Sequence, residues 1–330
     1  MNKSKKSREK LKYQAFGGKI MKYRTDLALE SMQLYSEGIK INESIEAGSE
    51  DENKNKFDKI PGIKCTEEEI DEDIKATRIE VIDEVGETIL GKRRGNYITI
   101  EIDGIVDGKE GIKERAAHAL AAELKKFIKF HEHLKVLVIG LGNDKVTPDA
   151  LGPYSVSKMK ITRHLFLMYD CDGDPEMANV SGLIPGVMGT TGIETAELIK
   201  QTVSIVEPEV VLIVDSLAAR DIKRVNTTIQ INDTGINPGS GMGNNRKEIS
   251  EETIGRKVIS VGVPTVIDAN TLVIDALSGF KEAEDKIEAY IAQNPQELVV
   301  TSTDIDLVIK DFSDIISNSV NITLHPGIYI

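Results

Sequence analysis

Three apolar runs restrict this chain more than any other feature: VLVIGLGN at 136–143, EVVLIVD at 209–215 and RKVISVGVP at 256–264. Each is too continuous for a strand with one wet face, and helical spacing follows the first at 148–164, precedes the second at 194–206 and follows the third at 271–280. Apolar strands alternating with helices predict a mainly parallel sheet covered on both sides, a three-layer α/β/α arrangement. Upstream, 79–82 and 97–102 alternate as strands, 114–130 has helical spacing, and 224–231 alternates as a half-buried strand. The expectation is an α/β domain with a smaller N-terminal strand-containing region and inserted loops.

Composition narrows the function classes. With 330 residues, 40% of them hydrophobic, the chain can bury a sizeable core. A formal net charge of -13 argues against a sequence-independent grip on nucleic acid. The longest apolar runs, Val136 to Leu141 and Val210 to Val214, fall far short of the roughly 20 residues that span a bilayer, so no membrane partner is expected. Met1 to Lys22 is lysine-rich without the apolar stretch of a secretory signal, and reads as a loosely held basic arm. A helical pattern opens at Thr25-Asp26 and ends near Gly38, and 42–73 reads as an acidic, flexible loop. The two cysteines, Cys65 and Cys171, have no partner at metal-ligand spacing and read as free thiols of a protein kept inside the cell.

Two aspartates stand where an open α/β sheet forms its ligand crevice, at the carboxyl ends of strands. Asp149 follows the glycine loop of GLGNDKVTPDALGP at 140–153, and Asp215 ends its own apolar run. Two carboxyls at one sheet edge can share a proton, one acting as base on water and the other as acid toward a leaving amine. Spacing alone leaves open that Asp149 only complements a helix dipole behind the Thr147 cap, or that Asp215 caps a loop.

Glycine-rich loops at 185–194, 233–246 and 261–269 suit a phosphate or an extended peptide. The dinucleotide fingerprint is broken by Lys145 where its last glycine belongs, and Ser240 lacks the nucleophile-elbow pattern. No metal set forms among the histidines; His131 and His133 read as solvated at a helix end. The expectation is no metal and no cofactor.

The strings YRTDLALE at 23–30, GLGNDKVTPDALGP at 140–153, PGVMGTTGIET at 185–195, VDSLAAR at 214–220 and VNTTIQINDTGINPGSGMGNNRKE at 225–248 resemble the spore germination proteases. The looser Gly-x-Gly-Asn pattern with its downstream acid is also similar to hydrogenase maturation endopeptidases. The resemblance implies an atypical aspartic endopeptidase of the forespore and spore core, a homotetramer made as an inactive zymogen that shortens its own N-terminus. Its substrates would be small acid-soluble, DNA-coating spore proteins, cut after Glu or Asp, before a hydrophobic residue followed by Ala. The essential aspartates of such proteins fall on Asp149 and Asp215. Asp26-Leu27-Ala28 reproduces the substrate order, which divides the chain into a propeptide, 1–26, and a catalytic domain, 27–330. Arg220 and Arg246 are the candidates to pair with acidic substrate residues. This sequence has Asp144 where similar proteins usually have tryptophan after GLGN. A phosphate- or nucleotide-binding module and a metal-dependent maturation peptidase are the competing expectations.

Overall fold

A computed structural model describes residues 23–46, 60–239, 246–278, 280, 284–294 and 296–329; the basic arm 1–22 lies outside them. Among the described residues nine strands form one mixed sheet: β1 (Ile63–Glu69), β2 (Ile74–Val81), β3 (Gly95–Ile102), β4 (Lys135–Gly140), β5 (Asn179–Leu183), β6 (Val210–Ala219), β7 (Thr228–Asn232), β8 (Lys257–Asp268) and β9 (Val299–Val300). They lie in the order β1-β2-β3-β7-β8-β6-β4-β5, with β9 joined to the far end of β8. The pairs β5/β4, β4/β6 and β6/β8 are parallel. The N-terminal strands and β7 extend the same sheet in antiparallel fashion. All three apolar runs fall in the parallel half, where strands are buried on both faces.

The longer helices form the two outer layers. On one face, α3 (Ile112–Phe127), α4 (Leu151–Lys158) and the C-terminal α11 (Ile305–Leu324) close the largest core. Leu120, Leu151 and Phe312 meet Val138, Leu212 and Val261 there. On the other face α7 (Thr195–Val206) covers Leu137, Val211 and Val258, while α1 (Ala28–Glu46) packs Leu29 and Met32 on Ile79 and Val81 of the antiparallel half. Shorter helices connect the strands: α2 (Glu84–Leu90), α5 (Arg163–Tyr169), α6 (Met188–Thr191), α8 (Glu251–Ile254), α9 (Ala269–Leu277) and α10 (Glu284–Gln293).

Local reading erred in three places. The helix expected over 148–164 is a 3-10 turn, Thr147–Asp149, then α4, then an extended break at Met159 (φ -74, ψ 150) before α5. Residues 42–73 are no single loop: α1 runs to Glu46 and Ile63–Glu69 is the edge strand β1. Residues 47–59 lie outside the described residues. The glutamates that made β1 look like a loop are on an edge, where charge blocks further pairing, and Lys75 reaches Glu67 across the ladder at 2.8 Å. The strand expected at 224–231 starts only at Thr228, because Asn226 adopts φ 63.

Candidate active site

The chain leaves β4 for β5 on one side and returns to β6 on the other, so the crevice beyond the carboxyl ends of β4 and β6 is a topological switch point. Glycines shape the loop there. Gly140 and Gly152 let α4 approach β4: a Cβ on Gly152 would lie 2.2 Å from the Leu141 carbonyl oxygen and 2.5 Å from that of Val214. Gly142 takes φ +114, and a Cβ on it would fall 2.0 Å from the Asp149 carbonyl oxygen. The turn is then closed by backbone bonds. Asn143 N donates to Asp149 O at 3.0 Å, Asp149 N to Val146 O at 2.8 Å, and Thr265 Oγ1 to Pro148 O at 2.7 Å. Asp149 is thereby pinned at the rim of a cleft of about 930 Å³.

Asp215 enters the same cleft from β6, one residue beyond the Gly140–Val214 register. It is 7% exposed, and Ser216 N donates to its Oδ1 at 2.9 Å. Burial pushes its carboxyl well above the usual range, and the charges of Asp149 and Asp26 push it further; the Ser216 N–H and Arg246 act in the opposite sense. Burial likewise raises Asp149, to about 6, against the Asn143 amide and Arg246. Burial of both carboxyls, and for Asp215 the charge of Asp149 beside it, favour their protonated forms. Among the described residues no group of three His, Cys, Asp or Glu is arranged to hold a metal ion.

The germination protease family model matches residues 39–282. The chain belongs to the germination protease family. The germination protease of Caldanaerobacter subterraneus subsp. tengcongensis is 40% identical over 332 residues, covering 94% of this chain and 96% of that one. That of Clostridium perfringens is 38% identical over 93% of this chain and 96% of its own length. That of Oceanobacillus iheyensis is 45% identical over 77% of this chain and 66% of its own. Family membership makes the chain a peptidase of spore germination, and among the described residues no helix is long and apolar enough to cross a membrane.

Like the aspartates, residues Tyr23 to Asp26 line the cleft of this germination protease family member. Arg24 N donates to Thr271 Oγ1 at 3.0 Å, and the Thr25 hydroxyl bonds Glu30. Asp26 N donates to Ala218 O at 2.9 Å, and Ala218 N returns a bond to Asp26 Oδ2 at 2.9 Å. Leu27 is fully buried against Leu217, Ala219 and Ile267, and Ala28 is fully buried beside it. Of the two arginines singled out from sequence, Arg246 lines the cleft and acts on both aspartates. Arg220 does not line it. Its guanidinium bonds Asp275 at 2.7 Å and Glu37 at 3.2 Å and stacks 4.5 Å from the Tyr23 ring centroid, which anchors the N-terminal segment. Sequence reasoning missed Lys92 and Gln230, which also line the cleft; they sit in a helix-to-strand connection and a strand interior, and no motif marks them.

Proposed function

We propose that this endopeptidase hydrolyses peptide bonds with Asp149 and Asp215 sharing one proton, and that it is a zymogen which first cuts itself between Asp26 and Leu27. The observation that carries the reading is the meeting in one cleft of both raised carboxyls and Asp26, the residue that precedes the buried Leu27 and Ala28. The ionised carboxyl takes a proton from water as the water oxygen attacks the carbonyl carbon, and the protonated one gives its proton to the departing nitrogen. By the resemblance to its family, its substrates are small acid-soluble spore proteins, cut after an acidic residue and before a hydrophobic one followed by Ala, and it works as a homotetramer in the forespore and spore core. Seating of Leu27 in an apolar socket and enclosure of Ala28 support that order. Asp149→Asn and Asp215→Asn are each expected to abolish self-cleavage and substrate cleavage while the far-ultraviolet circular dichroism stays unchanged. Activity near wild type in either variant would refute the shared-proton pair. N-terminal sequencing of the matured chain is expected to begin at Leu27, and Asp26→Ala to block maturation; unimpeded processing of Asp26→Ala rules out that cleavage point.

A further inference from the structure

The carbonyl oxygen of Asp26 accepts two side-chain hydrogen bonds, from Lys92 Nζ at 2.8 Å and from Gln230 Nε2 at 3.1 Å. We propose that Lys92 and Gln230 are catalytic residues that bind the carbonyl oxygen ahead of the scissile bond and stabilise the oxyanion formed there. The proposal rests on the reading that cleavage falls between Asp26 and Leu27.

Three features of the structure support it. First, Gln230 holds the peptide at two points: while its Nε2 donates to Asp26 O, its Oε1 accepts from Ala28 N at 2.7 Å. These partners fix the amide orientation, because the flipped amide would oppose donor to donor and acceptor to acceptor. Such a clasp reads only backbone, on both sides of the Asp26–Leu27 bond. Second, Lys92 is aimed by its helix. Leu90 anchors α2 in the core, and Gly91 ends it at φ 63 with its N–H on Glu87 O at 2.8 Å, so the next residue turns into the cleft. Third, an ammonium brings a full positive charge to the one atom that becomes negative, inside a partly buried site where such a charge is weakly screened.

The step balances. The water oxygen bonds to the Asp26 carbonyl carbon and the C=O π pair moves onto oxygen, held by Lys92 and Gln230, while the ionised carboxyl of the pair takes the water proton. The pair then returns to form C=O as the C–N bond breaks, and the protonated carboxyl delivers its proton to the Leu27 nitrogen. A carboxyl-terminal Asp26 and an amino-terminal Leu27 result.

The test compares the full-length chain with Lys92→Met, Lys92→Arg and Gln230→Glu, the last keeping the acceptor to Ala28 but replacing the donor. Self-cleavage is followed by mass spectrometry, and chains begun at Leu27 are assayed on peptides carrying Glu-Leu-Ala or Gln-Leu-Ala. Loss of one oxyanion donor is expected to slow self-cleavage and lower kcat on the order of 100- to 1000-fold, with KM and Tm held and part of the rate recovered in Lys92→Arg. Unchanged or faster cleavage in Lys92→Met overturns the proposal, since the pair then only restrains the segment. A loss confined to KM for the glutamate peptide also overturns it, since Lys92 then reads the side chain. If wild type matures elsewhere, the cleavage point fails separately, and kcat of the Leu27 chains still decides the role of Lys92.

Discussion

Asp149 shows how one position can trade stability for chemistry. Burial pushes its carboxyl up to about 6 from an ordinary 3.8, so between those values the folded chain binds more protons than the unfolded one. The sign follows: the fold bears no penalty at low pH and loses stability as pH rises through 6, by about 3 kcal/mol for a shift of this size. Asp149→Asn is therefore expected to raise the urea midpoint at pH 8, with the gain shrinking as pH falls toward 4. A variant less stable than wild type at pH 8 would contradict burial as the cause. In the proposed mechanism activity depends on the pair rather than on either member. The rate should climb with a midpoint near pH 6 as Asp149 ionises, and fall again as Asp215, raised by burial and by the charges of Asp149 and Asp26, loses its own proton. The profile of kcat/KM against pH for Glu-Leu-Ala peptides checks this; a rate falling steadily from pH 5 would reject the assignment.

At the scale of elements, the site depends on close backbone approaches, and the antiparallel half of the sheet is held to α3 by a partly buried ion pair. Gly152 of α4 sits against the carbonyl oxygens of Leu141 and Val214, and α4 also packs against α11 in the same layer. Gly152→Ala is expected to cost about 3 kcal/mol, the upper end for overpacking, and to displace Asp149 with it. Equilibrium unfolding and activity should then fall together. Strand β2, next to the edge, is tied to α3 by Arg78, whose Nε and Nη2 reach Glu123 at 3.2 and 2.5 Å. Burial raises the Glu123 carboxyl, yet the hydrogen bonds from Arg78 and Lys126 outweigh it and hold the group below its ordinary value. Removing one partner of a buried pair usually costs 3–5 kcal/mol; with Lys126 left in place, Arg78→Met is expected to cost about 2 to 3 kcal/mol. Denaturant unfolding measures it, and activity per folded molecule should not change.

Across the whole molecule, the N-terminal segment joins parts distant in the chain. Between Arg24 and Ala28 it bonds Thr271 of α9, Ala218 of β6, Gln230 of β7 and Lys92 beyond α2. Glu30, 1% exposed, holds the turn after β6 by accepting from Arg220 N at 2.7 Å and Asp221 N at 3.0 Å. Removing residues 1–26 is expected to bare the Ala218 amide, whose partner is the Asp26 carboxylate. Hydrogen exchange at Ala218 should accelerate in a chain begun at Leu27, while amides of β4 stay protected. Equal protection in both chains would mean that another group takes the place of Asp26.

The sequence by itself determined the apolar parallel strands, helices such as α3 and α7 and the glycine loop that carries Asp149 beyond β4, because these follow from periodicities of 2 and 3.6 and from glycine-marked turns; Asp215, expected at a strand end, instead lies inside β6, which runs on to Ala219. It misjudged the edge strand β1, whose glutamates obey the demands of an edge rather than of a loop, and it did not see α11, whose apolar face matters only against α3 and α4. Only the tertiary structure decided which residues share the cleft. Arg220 and Arg246 look alike as loop arginines, yet one is bound by Asp275 and Glu37 and the other faces the aspartates. Lys92, Gln230 and Asp26 come from elements far apart in sequence; their meeting on one carbonyl depends on the order of strands in the sheet, which no local pattern encodes.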